Sequence, residues 1–349
     1  MSNTSLNIPH ENHQFKAMIA TGGIGSGSLF LIKGNHTLGR EESRSGKYLD
    51  AKDYCKLHII AHYVKVILGA DFPVFPVGKI GDDDIGRSLY HEMEQAGLDM
   101  EYVRFSENDR TLFGFCFLYP DGTGGNLTTE ESACSKVDAS FIEKAMPFFS
   151  KYAGNFLSLS APEVPLTARK KLLELTREYK GYSVVSFTSG EMAEAEEMEM
   201  LGLIDLLAIN IDEASSLTCT VADRDRPQLI VEKAIAKMKE FNPSIWLSIT
   251  AGKQGSWSWD GHKLSHVSIF PVEVNSTAGA GDAHVAGVIA GLTAGLTLYQ
   301  AQILGNLFGA FSVTSQHTIH PDMSRKNLRE LALKSHNEIE PFLLKILGD

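Results

Sequence analysis

The feature that most constrains the fold is a regular alternation of apolar strands and helices in the second half of the chain. The predicted strands are Phe156–Leu159, Ser183–Phe187, Leu206–Ile209 and Ile245–Ile249, and the predicted helices are Leu166–Tyr179, Glu191–Leu201, Asp212–Leu217 and Gln228–Phe241. Strands separated by helices are joined by crossover connections, which place neighbouring strands parallel. The alternation therefore predicts the α/β fold class, with a doubly wound, mostly parallel sheet flanked by helices.

The first part of the chain does not show this alternation of strands and helices throughout. A strand at Ala17–Thr21 leads into a glycine cluster at residues 22–27, and a helix is predicted over Asp53–Leu68. Two β-rich segments, at about 28–48 and 111–130, lack the helices that a parallel sheet needs. We expect these segments to form a small second sheet at one edge of a single domain spanning residues 1–349.

Composition narrows the classes of partner. The chain has 32 Lys and Arg against 43 Asp and Glu, a net charge of -11, which repels phosphate backbones and argues against nucleic acid as a partner. Its four cysteines contain no CxxC pair, which predicts buried, reduced thiols. The first 14 residues are polar and no stretch reaches the roughly 20 apolar residues of a membrane span, so we expect a cytoplasmic protein without a membrane partner.

The segment Thr277–Ala283 is rich in glycine and alanine and opens a helix. Small residues allow close approach of a ligand, and free N–H groups at a helix start form an anion site. The amides of Gly279, Ala280 and Gly281 are therefore candidates for stabilising a transferring phosphoryl group. Asp282 is the candidate general base for a substrate hydroxyl. The structural alternative is an Asp that merely caps a helix.

Three further turns follow predicted strands. Asn210 and Glu213 come after one strand, and their spacing fits either a phosphate-facing pair or an ordinary helix cap. The turn over 250–255 fits either a ligand loop or a plain hairpin, and Gly81–Gly86 is another strand-to-helix turn. The carboxyl ends of strands are where α/β folds bind ligands, so the four segments together favour a site.

In this order the four segments resemble the motifs of the PfkB carbohydrate kinases, the ribokinase family. That family shows G-x-D-x-x-G, then N-x-x-E, T-x-G-x-x-G and D-T-x-G-A-G-D, and the resemblance runs from about residue 17 to 325. It implies a ribokinase-like α/β core with a small β lid, ATP as phosphoryl donor, Mg²⁺ on its phosphates, and a sugar or sugar-like alcohol as acceptor. It also implies the possibility of a homodimer formed through the lid.

The resemblance assigns roles to residues by position. Asp282 is the implied base, with the backbone of Gly279, Ala280 and Gly281 as the anion hole. Glu213 is implied to act on Mg²⁺ indirectly, near the phosphates. The implied nucleotide-binding residues are Asn210, Glu213, Thr250, Gly252, Gly255 and Asn306.

The departures from the family pattern concentrate at the acceptor end. Family members usually carry an Asp where this chain has Gly25-Ser26-Gly27, and the Gly-Gly plus Asn substrate motif is also altered. The remaining candidates for acceptor contacts are Ser26, Gly46, Asp50 and Asp53. Arg40 and Arg44 in the inserted loop either meet an acidic or phosphorylated acceptor or belong to a solvated, charge-balanced loop. The acceptor thus stays open among sugars, sugar acids, sugar phosphates and related polyols.

Two alternative functions and one question about a cofactor remain. A Rossmann dehydrogenase is disfavoured because Leu29–Ile32 is predicted as a strand where a helix is required. A catalytically silent kinase-fold protein that binds nucleotide or sugar remains the alternative function. Ser276 replaces the family's first Asp, and His317 replaces a late glycine, so activation by a monovalent cation is doubtful, although backbone carbonyls could still serve as its ligands.

Overall fold

The computed structural model describes residues 5–121, 124–220, 226–335 and 340–348, and its main element is a nine-stranded sheet. The strand order is β13-β12-β11-β10-β9-β8-β1-β4-β5, with the seven strands from β11 to β5 parallel. The strands of this sheet are β1 (Ala17–Thr21), β4 (Val74–Gly81), β5 (Tyr102–Ser106), β8 (Phe156–Ser160), β9 (Tyr182–Val185), β10 (Leu206–Asn210), β11 (Trp246–Thr250), β12 (Ser256–Trp259) and β13 (Leu264–Val267).

A second sheet of four strands has the order β3-β2-β6-β7, and we call it the lid. Its strands are β2 (Gly25–Ile32), β3 (Gly46–Tyr54), β6 (Leu112–Leu118) and β7 (Gly124–Thr128). The β2–β6 pair is parallel and the outer two pairs are antiparallel. Both segments predicted for a second sheet contribute strands, although the first one extends to Tyr54.

Helices cover the sheet and connect its strands. They are α1 (Lys56–Leu68), α2 (Asp84–Gln95), α3 (Ala139–Glu143), α4 (Met146–Tyr152), α5 (Leu166–Glu178), α6 (Met192–Glu197), α7 (Ile211–Leu217), α8 (Pro227–Phe241), α9 (Ala280–Thr293), α10 (Leu298–Ser312), α11 (Arg325–Ser335) and α12 (Pro341–Leu347). Short 3₁₀ turns occur at His10–Asn12, Ala133–Lys136, Ser189–Glu191, Leu201–Leu203 and Gly252–Gln254. The predicted doubly wound α/β fold is confirmed.

One helix prediction was wrong at its start. The helix predicted from Asp53 begins at Lys56, because Asp53 and Tyr54 pair with Gly27 and Ser26 in the lid. An Asp just before an apolar helical pattern looks like a cap in the sequence, but here tertiary strand pairing determines its conformation.

The prediction of buried thiols was also wrong in part. Cys134 is buried, Cys55 and Cys116 are half-buried, and Cys219 is exposed. The four thiols are free. Over the described ranges, no helix is long and apolar enough to cross a membrane.

The strand order places the carboxyl ends of β1 and its neighbouring parallel strands next to one another. The chain runs from β1 to β4 and β5 on one side, and β8 to β11 extend on the other side, so β1 lies at the point where the direction of winding reverses. Crevices form at such a point. The strands there are fully buried, as β1 and β8 are along their whole length, which makes the base of the crevice rigid.

Candidate active site

The strand-end segments singled out in the sequence meet at one edge of the sheet. Asn210 and Thr250 are register partners at the ends of β10 and β11. A cleft between them and the start of α9 is lined by Lys56, Ser186, Asn210, Glu213, Thr250 and Asp282, among others. Three of the four predicted segments therefore come together, while the turn at 81–86 packs against Thr111 instead.

Asn210 and Glu213 form a reciprocal helix cap at the start of α7. The Asn210 Oδ1 atom accepts hydrogen bonds from the amides of Asp212 and Glu213, each at 2.9 Å, and Glu213 Oε2 accepts from the Asn210 amide at 2.8 Å. This is the capping arrangement that the spacing allowed as an alternative. It leaves Glu213 Oε1 facing the cleft, 3.4 Å from Lys56 Nζ.

Helix α9 begins at the edge of the same cleft. Gly279 precedes it with a φ of 76°, a left-handed conformation that glycine adopts without strain, and a Cβ there would lie 2.8 Å from Thr318 O. The Ala280 amide donates to Thr277 O at 3.3 Å, whereas, apart from its chain neighbours and the backbone of its own helix, no described atom lies within 4 Å of where a Gly281 Cβ would be. The first turn of this 14-residue helix thus presents its positive end to open space beside Gly281.

Asp282 lies in this first turn and lines the cleft. Burial raises the pKa of Asp282 to about 6, the Lys56 ammonium opposes that rise, and the carboxyl groups of Glu213 and Asp53 add to it. The carboxyl group is thus ionised at neutral pH and still basic enough to accept a proton, as a general base requires.

Lys56 is a residue of the cleft that the motifs did not indicate. It is the first residue of α1, and its ammonium group lies 3.4 Å from Glu213 Oε1 and 3.5 Å from Ser186 Oγ. Neighbouring acids, Asp282 first, raise the pKa of Lys56 despite its burial, so it is charged. The sequence feature that could have indicated Lys56 is a lysine at the start of an otherwise apolar helix, shortly after a segment predicted for the second sheet.

The nucleotide candidates on the other side of the cleft divide into two groups. Thr250 lines the cleft, and Gly252 and Gly255 follow it with φ values of 55° and 86° in the turn from β11 to β12. That turn is the antiparallel hairpin which the sequence allowed as an alternative. Asn306 does not line the cleft: it is 9% exposed, and its side chain bonds Ser256 Oγ at 2.7 Å and the carbonyls of Val267 and Ser268 at 3.0 Å.

A buried polar network beneath the cleft fixes the position of α9. His284, two residues after Asp282, lies 3.1 Å from Ser248 Oγ through Nε2, and that hydroxyl donates to Gln302 Oε1 at 2.9 Å. Burial lowers the pKa of His284 to about 4, so the ring is neutral. The network connects α9 to β11 and α10, and it places no charge beneath the first turn of α9.

The acceptor candidates are distributed over the lid. Ser26 and Asp53 lie at the inner end of the β2–β3 pair, whereas Gly46 lies at the outer end, opposite Ile32. Gly46 lies seven positions before Asp53, or about 23 Å along the strand, so Gly46 is not brought to the cleft. Asp50 lies in β3, and its side chain is outside the described part of the structure.

Asp53 is the lid residue whose charge reaches Asp282. Burial raises the pKa of Asp53, and its Oδ2 atom accepts a hydrogen bond from the Cys116 thiol at 3.3 Å. Its charge also acts on Asp282. Of the four acceptor candidates, Asp53 is the one that the structure links electrostatically to the candidate base.

A second carboxyl group on this side, that of Glu163, was not predicted. Glu163 follows β8 between Pro162 and Pro165, with a φ of 76° that is unusual for a residue with a side chain. Burial raises the pKa of Glu163 to about 7, and the charges of Asp282 and Asp53 contribute. A carboxylate between two prolines at the carboxyl end of a strand was the signal available in the sequence.

The chain matches the family model described as "pfkB family carbohydrate kinase" over residues 60–325. Among curated proteins it is 27% identical over 266 residues to a probable fructokinase-7 of Arabidopsis thaliana, covering 70% of this chain and 74% of the relative. Among solved structures it resembles the ribokinase of Giardia lamblia, with a TM-score of 0.78, 16% identity and coverage of 91% and 99% of the two chains. It also resembles the ribokinase of Cryptococcus neoformans var. grubii in complex with ADP, with a TM-score of 0.75, 18% identity and coverage of 90% and 99%.

Proposed function

The chain belongs to the pfkB family of carbohydrate kinases, and we propose that it transfers the γ-phosphoryl group of ATP to an acceptor hydroxyl with Asp282 as general base. The observation that carries this proposal is the position of Asp282. Its buried carboxyl group, with a pKa of about 6, lies in the first turn of α9 beside the open N-terminus of that helix.

The donor side of the cleft fits the phosphates of ATP. The N-terminal end of α9 and the Lys56 ammonium group supply positive charge from two directions. The open space at Gly281 admits a phosphoryl group close to the backbone. We propose that Thr250, Gly252 and Gly255 contact the nucleotide from the β11–β12 turn, and that Asn306 acts indirectly by holding β12 and the segment after β13 in place.

The carboxylate positions also fit a divalent cation carried by the nucleotide. Mg²⁺ commonly binds through one or two carboxylates together with substrate phosphates, and it supplies charge neutralisation on those phosphates. Glu213 would serve it indirectly, because Oε2 accepts the Asn210 amide and Oε1 is paired with Lys56. Asn210 holds Glu213 in that position through the helix cap.

The proposed reaction is an in-line displacement. Asp282 accepts the proton of the acceptor hydroxyl as its oxygen bonds to the γ-phosphorus atom, and the bond to the β-phosphate oxygen breaks to release ADP. The amides at the start of α9 and the Lys56 ammonium stabilise the charge on the transferring group. Closure of the lid over the acceptor would exclude water that otherwise competes as a nucleophile.

We further propose that the chain acts as one domain with its lid, in the cytoplasm, and that two copies associate through the outer lid face. Phe30, Tyr48, Phe115 and Leu127 share that face, where Tyr48 and Leu127 are 55% and 65% exposed. Exposed apolar faces of this kind favour association. Sedimentation equilibrium at micromolar concentration tests this proposal, and a monomer would contradict it.

The experiment for the base is the Asp282→Asn variant. We expect kcat to fall by ~10³-fold, within the range attributed to a general base, because the amide cannot accept the proton. ATP binding, measured by calorimetry, should remain within a few-fold of the wild type. Turnover at the wild-type rate would contradict the assignment, and retained ATP binding with no acceptor turned over by the wild type would favour a silent kinase-fold binding protein.

A further inference from the structure

The outer edge of lid strand β3 is bonded to the segment that follows α10, residues 313–318. β3 is the first strand in the order of the four-stranded sheet, so one side of its backbone faces no neighbouring strand of that sheet. On that side the Lys52 amide donates to His317 Nδ1 at 2.9 Å. The Tyr54 amide donates to Thr318 Oγ1 at 3.0 Å, and the Thr318 amide donates to the Lys52 carbonyl at 3.1 Å. The inner end of the lid is therefore attached to this segment by three hydrogen bonds.

The same segment supports the turn that precedes α9. The amides of Asn275 and Ser276 donate to the Val313 carbonyl at 2.7 and 3.2 Å. A Cβ atom on Gly279 would lie 2.8, 3.1 and 3.2 Å from the O, Cβ and Cα atoms of Thr318, so the backbone of the turn packs directly on Thr318. Since Gly279 precedes the helix proposed to bind the transferring phosphoryl group, one segment contacts both the lid and the phosphate-binding turn.

Further hydrogen bonds fix the conformation of this segment. The His317 amide donates to Ser315 Oγ at 3.0 Å. Tyr63, a fully buried residue of α1, donates its hydroxyl to the Thr318 carbonyl at 3.3 Å and accepts the His320 amide at 2.7 Å. Because Thr318 is also buried, and closely packed interiors transmit displacements, a shift of the β3 edge is passed on to the turn before α9.

The bond to the Lys52 amide depends on a side chain particular to this chain. His317 stands where the family pattern has a glycine, and a glycine offers no side-chain acceptor to an amide of β3. Because Nδ1 accepts from the main chain, this bond reports where β3 lies and does not depend on which side chain position 52 carries. The Lys52 ammonium group itself pairs with Glu92 of α2 at 3.1 Å, which anchors the same part of β3 to α2.

We propose that His317 is a positioning residue, which links the lid to the phosphate-binding turn and thereby holds the amides at the start of α9 in place for the γ-phosphoryl group. It acts through Thr318 and Gly279 and touches no substrate. This inference rests on the proposed kinase function and names a residue that connects the two sides of its site. The ADP part of the nucleotide, which we propose lies against the β11–β12 turn, should be bound independently of this link.

The test compares two nucleotides in the absence of any acceptor. Calorimetry gives Kd for Mg·ADP and for the magnesium complex of the β,γ-imido analogue of ATP, which adds the third phosphoryl group. Hydrogen exchange followed by mass spectrometry, without ligand, reports on β3 and on residues 275–281. The variants are His317→Ala and His317→Asn, in which the Asn side-chain oxygen restores an acceptor, and Thr318→Val, which removes the acceptor of the Tyr54 amide. His262→Ala is the matched control, because His262 is exposed in the turn between β12 and β13.

We expect His317→Ala to raise the Kd of the imido analogue by about fivefold, the scale of one lost hydrogen bond, and to leave the Kd of Mg·ADP nearly unchanged. Exchange should become faster both at the inner end of β3 and at residues 275–281, because the link restrains the two segments together. Thr318→Val should change exchange and binding in the same direction, which keeps the link testable if His317→Ala does not fold. His317→Asn should restore the wild-type values, and His262→Ala should not alter them.

Faster exchange in β3 alone, with unchanged binding of the imido analogue, would overturn the proposal, because His317 would then merely satisfy the edge of the lid. An equal loss of affinity for both nucleotides would overturn it too, since a general loss of structure has that effect. A wild type that binds neither nucleotide would instead contradict the kinase proposal. In that case the exchange of the two segments, which is measured without ligand, still decides whether His317 links them.

Discussion

The two sides of the cleft contrast in how they are built. On the donor side, Asn210, Thr250 and the start of α9 come from contiguous motifs at strand ends, and each forms much of its structure locally through caps and turns. On the acceptor side, Asp53 and Glu163 come from a lid strand and a loop 110 residues apart in sequence. In the proposed site, the phosphate-binding side is therefore formed mainly by local backbone geometry. The acceptor side depends instead on contacts between side chains that are far apart in sequence.

After loss of the base itself, removing the cation between the two sides should have the largest effect. We expect Lys56→Met to lower kcat/KM for ATP by about 100-fold, because the transferring phosphoryl group loses a half-buried positive charge. Steady-state kinetics with saturating acceptor measure this. The matched control is Lys326→Met in α11, where Lys326 is 65% exposed and only weakly paired at 4.0 Å. Equal effects of the two substitutions would remove Lys56 from the site.

Crowding the acceptor side should affect acceptor binding alone. In Gly27→Ala the new methyl group would displace the Asp53 carboxylate. We expect the KM of the acceptor to rise by about tenfold, the scale of a lost hydrogen bond to a charged group, while the KM of ATP stays unchanged. Gly190→Ala is the control, since no atom lies within 4 Å of a Cβ there. A rise confined to the KM of ATP would contradict the division into two sides.

The pH profile should distinguish Asp282 from Glu163, whose pKa the charge of Asp282 raises. Asp282 has a raised pKa of about 6 and must be deprotonated to act, so kcat should be constant above that value and fall as the pH drops through it. At pH 5 we expect a decrease of about tenfold. An acid limb that persists unchanged in Glu163→Gln but disappears in Asp282→Asn would assign it to Asp282. A flat profile down to pH 5 would contradict the role of Asp282.

The smallest expected effect concerns monovalent cations. The Ser276 hydroxyl accepts the Ala278 amide at 3.3 Å and thus shapes the loop, where family members carry an Asp. We propose that potassium is not required, and expect kcat to be the same in potassium chloride as in choline chloride at equal ionic strength. A strong requirement for potassium would show that backbone carbonyls of this loop suffice for a cation.

Much of the fold could be predicted from the sequence because its determinants are local. Strands such as Phe156–Ser160 are short apolar runs, and the alternation with helices fixes a parallel sheet. The start of α1 could not be predicted, since it depends on pairing of Asp53 with Gly27 across the lid. The antiparallel edge strands β12 and β13 were missed as well: each has only four residues, and the polar–apolar alternation of Ser256–Trp259 was a signal for β12 that the prediction did not use.

The site could be predicted on the donor side and only in part on the acceptor side. Asp282 and Gly281 stand in a motif, so their positions followed from the order of residues. Lys56 and Glu163 stand in no motif, and their importance comes from contacts that only the folded chain creates. Asn306 shows the converse, because a position that the family pattern assigns to the nucleotide is occupied by a side chain saturated in a buried network.

The central claim is phosphoryl transfer from ATP to an acceptor hydroxyl, and ³¹P NMR of the reaction mixture tests it most directly. The wild type, incubated with ATP, Mg²⁺ and each free sugar or cyclic polyol in turn, should give ADP together with a phosphomonoester of at least one acceptor. The Asp282→Asn variant should give neither at the same enzyme concentration. ADP accompanied only by inorganic phosphate, or a phosphomonoester formed equally by the Asp282→Asn variant, would contradict the account.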